Sequence, residues 1–250
     1  MLIHYSKASF LDHPVSMMKF LLGEKESLHE KILLRSAKIL LKEKFNRDEA
    51  NRILREIRNG DFVKMNESRE MTLSGNKPGH LFGKFIYFFV RIVKPEVMIE
   101  TGVAHGVSSW TILNALHKNQ KGKLYSIDLP NLDTKKVFNV ENFNRQPGWV
   151  VPELLRSRWE LQLGKSSELL PALLKRLGSI DIFFHDSDHS YENMKFEFGV
   201  TYDFIREGGL VLSDDVHKNA AFGEFVEEKK MRAVQLLSKG GAAVKEKWPK

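Results

Sequence analysis

The stretch Met98–Trp110, MIETGVAHGVSSW, decides how the chain is read. The apolar pair Met98-Ile99 runs into Glu100 and Thr101 and breaks at Gly102. Gly106 follows, and from Val107 the spacing is helical. Strand, glycine turn, helix is one step of an α/β sheet. The step recurs downstream. Strands are expected in GKLYSIDLP (Gly122–Pro130), WELQLG (Trp159–Gly164), IDIFFHD (Ile180–Asp186) and GGLVLSDD (Gly208–Asp215). Helices are expected in VPELLRSR (Val151–Arg158), SSELLPALLKRLG (Ser166–Gly178), YENMKFEFGVTYDFI (Tyr191–Ile205) and AAFGEFVEEKK (Ala220–Lys230). The last run, Met231–Trp248, reads as a hairpin around Ser238–Gly241. Alternation of this kind predicts a doubly wound, mostly parallel sheet covered on both faces, with ligands bound outside the carboxyl ends of its strands.

Upstream, LFGKFIYFFVRIV (Leu81–Val93) reads as a helix. Residues 1–77 read as helical, with Leu28, Ile32, Leu33, Ala37 and Leu40/Leu41 on one face. A second helix, DEANRILREIRNG, has Asp48 at its start and Gly60 as its stop. Asn66–His80 is polar and punctuated by glycine and proline, as a connection is.

Composition narrows the function. A chain of 250 residues with 42% hydrophobic content can bury a substantial core. It has no cysteine, which excludes disulfides, thiolate metal sites and cysteine nucleophiles. Val15–Gly23 is too short and broken for a secretory apolar region, and Lys84 and Arg91 interrupt the most apolar helix, so a cytoplasmic protein without membrane spans is expected. The net charge of +7 permits an anionic partner, but the bases are spread among acids on helix faces, which describes a solvated surface better than a nucleic-acid footprint.

The strand ends carry the chemistry. Gly102 and Gly106 let backbone approach a ligand, and the helix start near Val107 and Ser108 suits a carboxylate. Their spacing is neither that of dinucleotide binders nor that of a P-loop. Asp128 lies 26 residues after Gly102, placed to accept ribose hydroxyls, and Gly164-Lys165-Ser166 would border an adenine. No group is placed for a pyrophosphate, so the ligand looks like a nucleoside without phosphates. His185, Asp186, Asp188 and His189 crowd the end of an apolar strand, and Asp214-Asp215 end the next. His185 reads as structural or as a partner to the site, His105 as a cofactor contact, and His217 and Asn219 as lining an acceptor pocket.

Residues from about Gly79 to Lys247 resemble a class I S-adenosylmethionine-dependent methyltransferase. IETGVAHGVSS is similar to that fold's first motif, Asp128 to its ribose-binding acid, and the terminal hairpin to its reversed strand pair. HDSDHSYENM with GGLVLSDD resembles, more closely, the divalent-metal-dependent O-methyltransferases of the catechol and macrolide-sugar type. That resemblance implies a seven-stranded sheet and S-adenosylmethionine held by Glu100, Gly102, Gly106, Ser108, Asp128, Gly164, Lys165, Ser166 and Asp186. It also implies Mg²⁺ on Asp186, Asp214 and Asp215, with His189 as general base beside Asp186. Asp215 departs from the asparagine common in catechol-type enzymes. A domain at 78–250 and a helical extension at 1–77, serving as lid or homo-oligomer contact, complete the expectation. The implied acceptor is a small hydroxylated molecule: a sugar, phenol or natural product. Three rivals stay open: a nucleic-acid methyltransferase, a non-catalytic relative, and a hydroxylase-like relative. Against the first, the chain lacks the Asn/Asp-Pro-Pro-aromatic sequence of amino-methylating enzymes and the cysteine needed for attack on pyrimidine C5.

Overall fold

A computed structural model describes residues 28–59, 80–129, 146–236 and 239–246. Helices α1 (Leu28–Leu41), α2 (Arg47–Asn59) and α3 (His80–Val93) precede the sheet. Then follow β1 (Val97–Thr101), α4 (Val107–Asn119), β2 (Lys123–Asp128), a 3₁₀ turn at Glu153–Arg158, β3 (Trp159–Leu163), α5 (Ser166–Leu177), β4 (Ile180–His185), α6 (Tyr191–Tyr202), β5 (Ile205–Ser213), α7 (Ala221–Glu228), β6 (Arg232–Leu236) and β7 (Gly240–Val244). The expected Gly60 stop, the 66–79 connection and the Val15–Gly23 stretch lie outside the described residues.

The strands form one seven-stranded sheet in the order β3-β2-β1-β4-β5-β7-β6. Strands β1 to β5 are parallel, and β7 inserts antiparallel between β5 and β6. The order reverses between β1 and β4, the switch point at which an open α/β sheet takes its ligand. Side chains alternate faces as the pleat requires. Met98, Ile182, Phe184, Leu210, Leu212 and Ala242 pack with α1–α4, while Ile99, Phe183, Val211 and Ala243 pack with α5–α7. Strand β4 is buried along its whole length, which is why Ile182-Phe183-Phe184 runs apolar without alternation.

Three local differences from the sequence reading have simple causes. Val151–Arg158 forms a 3₁₀ turn because only six residues separate Pro152 from β3. Strand β5 starts earlier than expected, since Ile205 pairs with Ile180 before a register shift returns Leu210 to Ile182. Helix α2 begins at Arg47, capped by Asn46, whose Oδ1 accepts the Glu49 N–H at 3.0 Å, while Asp48 sits in the first turn.

Helices α1 and α2 pack into the same buried cluster as the sheet. Leu33, Ala37, Leu40, Ile53 and Leu54 belong to the same buried cluster as Phe184, Leu210 and Leu212. Arg91, the charge that interrupts the apolar helix α3, is buried and donates to both oxygens of Glu56 on α2, at 2.9 and 2.8 Å. Arg232 of β6 donates to the Leu40 carbonyl at the end of α1 at 2.8 Å. Among the described residues, no helix is long and apolar enough to cross a membrane.

Candidate active site

Each loop at the carboxyl edge leaves its strand through one further backbone hydrogen bond. Gly102 N–H donates to the Ile127 carbonyl (2.9 Å), Asp186 to Thr101 (2.8 Å), Gly164 to Asp128 (2.9 Å) and Asp214 to His185 (3.0 Å). The four loops therefore start at one level, and the glycine turn, Asp128, Asp186 and Asp214 stand along one edge of the sheet. At φ +84°, a Cβ on Gly102 would come within 2.0 Å of the Asp186 carbonyl oxygen. Only glycine lets β1 and β4 part this closely.

The glycine turn is braced from below. Glu100 is fully buried, and its Oε2 accepts from Ser109 Oγ (2.6 Å) and Ser126 Oγ (2.7 Å). Burial pushes its pKa up to about 7, against the pull of the Ser108, Ser109 and Ser126 hydroxyls. Its Oε1 is buried with no hydrogen-bond partner. Asp128 Oδ1 accepts the N–H of Val103 at 2.9 Å, so this acid also shapes the turn that a ribose would face. Gly106, at φ +95°, starts α4 with no side-chain cap, leaving the first-turn N–H groups for an anion. Ser108 stands half-buried in that turn. On the far side, Ser166 Oγ approaches Asn193 Oδ1 (3.4 Å), while Lys165 is exposed.

A segment that the sequence reading passed over covers the glycine turn. Gly148 N–H donates to the Ala104 carbonyl (2.9 Å) and Val150 N–H to that of His105 (3.2 Å). The Trp149 ring meets His105 edge-on at 6.0 Å. Gly148 is itself wedged against the Trp159 ring, and Trp159 Nε1 donates to Ser126 Oγ at 2.9 Å.

The charged end of β4 divides into a sealed pair and an open cluster. His185 is fully buried, and its Nδ1 lies 2.7 Å from Glu197 Oε2 on α6. Glu197 also accepts from Thr101 Oγ1 (2.6 Å) and Ser187 Oγ (2.8 Å), joining β1, β4 and α6. Burial works to raise its pKa, but the hydrogen bond and charge of His185 outweigh it and hold the acid below its usual range. His185 is thus a packing partner of Glu197, an acid that no local pattern marks.

Asp186, His189 and Asp214 form the open cluster, with one ligand atom from each within 4.8 Å of the others. His189 Nε2 lies 3.9 Å from Asp186 Oδ1 and has no hydrogen-bond partner. Burial and the like charge of Asp214 push the Asp186 pKa well above the carboxylate range, although 31% of the side chain is exposed. Asp214 is raised by burial and by Asp215. Burial, together with His185 and Lys218, lowers His189 to about 4, so it is neutral at physiological pH. Two acids whose ionised forms are disfavoured by burial and by neighbouring acids, beside an unpaired imidazole nitrogen, are a donor set that a divalent cation fits. Asp215 lies outside this cluster. Its backbone is left-handed at φ +48°, and its Oδ2 pairs with Lys218 Nζ at 2.6 Å. Asn219 donates to the His189 carbonyl (2.9 Å), and His217 Nδ1 lies 3.8 Å from Asp215 Oδ1.

Residues 99–216 match a family model described as a methyltransferase domain. Solved structures share the fold. A Podospora anserina methyltransferase bound to S-adenosylhomocysteine is 14% identical at a TM-score of 0.54, covering 81% of this chain and 97% of that one. The Streptomyces achromogenes O-methyltransferase TomG, in complex with S-adenosylmethionine, is 19% identical at 0.52, covering 74% and 89%. A Geobacter sulfurreducens methyltransferase is 19% identical at 0.50, covering 74% and 88%. No curated protein matches the chain.

Proposed function

We infer, for a chain that carries a methyltransferase domain on the class I fold, that it transfers a methyl group from S-adenosylmethionine to the hydroxyl of a small acceptor, assisted by a divalent cation. The observation that carries this reading is the Asp186–His189–Asp214 cluster, set at the switch point one strand from the glycine turn. S-adenosylmethionine supplies, when bound, a methyl group already activated for displacement. The chain must therefore align the acceptor and remove its proton. Asp128 would hold the ribose hydroxyls, and Ser108 with the first-turn N–H groups of α4 the carboxylate. Of the two acids that could meet the ligand's ammonium, Asp186 is partly exposed and Glu100 is fully buried. Asp186 and Asp214 would hold the cation, whose bound chemistry is Lewis acidity toward the acceptor hydroxyl. His189, unpaired and neutral, would take the acceptor's proton at Nε2.

A second role for His189 has its own support, because the cluster includes its ring as a donor. An imidazole among the ligands would favour Mn²⁺ or another transition metal over Mg²⁺, which prefers oxygen. The test is a screen of hydroxylated metabolites for S-adenosylhomocysteine release, with and without EDTA, repeated for His189→Ala and Asp214→Ala. A base predicts a loss of about a hundredfold to ten-thousandfold in His189→Ala with metal affinity retained. A ligand predicts that affinity falls with turnover. Full activity in EDTA removes the metal from the reading. No S-adenosylhomocysteine binding, or unchanged affinity in Asp128→Ala, removes the cofactor site.

A further inference from the structure

We propose that Lys218 competes with the cation for Asp215, and so sets both the affinity of the metal site and its choice of metal. The proposal rests on the metal reading above and concerns a residue outside the cluster. Asp214 and Asp215 are adjacent, yet the structure gives them different partners. Asp214 joins Asp186 and His189, while Asp215 turns to Lys218, three residues on, at 2.6 Å. The left-handed backbone at Asp215 separates the two carboxylates, and the Lys218 N–H donates back to the Asp215 carbonyl at 3.0 Å, closing the turn around the pair. Lys218 is also close enough to Asp214 and Asp186 for their charges to act on it. One tethered ammonium therefore withholds a third carboxylate and adds a positive charge beside the place a cation would occupy.

Two donor sets follow from this arrangement. With the pair closed, the chain offers two carboxylates and an imidazole. With the pair open, a third carboxylate is added beside them, a harder, more oxygen-rich set that Mg²⁺ prefers. The Lys218 side chain is 48% exposed, so breaking the pair costs little, and the balance is within reach of ionic strength and of the cation itself.

The experiment is titration calorimetry of the full chain with Mg²⁺ and with Mn²⁺, on the wild type, Lys218→Met, Asp215→Asn and the double variant, with circular dichroism to establish folding. Lys218→Met should bind Mg²⁺ about fivefold more tightly, the equivalent of one exposed ion pair. It should gain less for Mn²⁺, and the gain should shrink at high salt. Asp215→Asn should cost more Mg²⁺ affinity in the Lys218→Met background than in the wild type, a coupling that a merely structural pair would not produce. Equal Mg²⁺ affinities for wild type and Lys218→Met, with both binding, overturn the proposal and leave the metal reading intact. No binding of either metal by any of the four proteins overturns both.

Discussion

At the scale of single residues, the buried acids do different work and their pH signatures separate them. Glu100 keeps its proton in the folded chain up to about pH 7, whereas an unfolded glutamate releases it near 4.5. Between those values the native state binds the extra proton, so stability falls as pH rises through the window and is flat above it. The shift corresponds to a contribution on the order of 3 kcal/mol. Glu100→Gln, neutral at every pH, should therefore be more stable than wild type in urea at pH 8 and should lose that advantage at pH 4.5. Parallel stability–pH curves for the two proteins would show that Glu100 is not protonated in the fold. Glu100, Asp128 and Asp186 could be placed at strand ends from the sequence because each follows strand residues. Glu197 could not be placed in this way. It lies inside a helix among apolar residues, and its partners Thr101 and His185 are far from it in sequence, so only the folded sheet brings the donors to it. Nor could spacing divide the Asp214-Asp215 pair, whose partners depend on one backbone angle at Asp215.

At the scale of elements, alternation of apolar runs with helical spacing carried the strand order as far as a parallel sheet, and the C-terminal glycines marked the reversed hairpin. The bracing segment at 146–151 ends in the apolar run Trp149-Val150-Val151 but is too short to show a helix or strand period, so nothing in the sequence tied it to the glycine turn. Its fit is tight. A Cβ on Gly148 would meet three atoms of the Trp159 ring at 2.0 to 3.0 Å, and the backbone there is at φ +74°. Trp159 cannot give way, because its indole N–H is bonded to Ser126 and Arg156 lies over its ring at 5.3 Å. The brace is what must move in Gly148→Ala, and with it the Ala104 and His105 carbonyls it caps. Strain of this kind costs about 1–3 kcal/mol. If it falls on the ligand-ready turn, S-adenosylhomocysteine affinity drops about tenfold to a hundredfold, while far-UV circular dichroism stays native. Wild-type affinity in this variant would show that the segment does not shape the cleft.

For the whole molecule, the question is whether the N-terminal helices are a separate extension or part of one cooperative unit. The sequence suggested a boundary near Lys77, since a methyltransferase sheet needs nothing upstream of α3. Packing argues for continuity through the described helices α1 and α2. Their apolar faces share a cluster with β4, β5 and β7, the Glu56–Arg91 pair is largely buried between α2 and α3, and Arg232 ties the last turn of α1 to β6. Ile53 on α2 is fully buried, and Ile53→Ala should remove about 2–5 kcal/mol, the usual cost of truncating a large core side chain to alanine. The tryptophans of the described residues, Trp110, Trp149 and Trp159, all lie downstream of α3, so their fluorescence reports chiefly on the sheet and its helices. In one cooperative unit, Ile53→Ala lowers the urea midpoint seen by fluorescence as much as the midpoint seen by far-UV circular dichroism. An independent extension would instead melt first in circular dichroism and leave the tryptophan transition where it is in the wild type. Coincident, equally shifted transitions would also mean that cutting the chain before α3 strips cover from β4 and β5, so that loss of cofactor binding after such a cut reports unfolding of the sheet rather than loss of a lid.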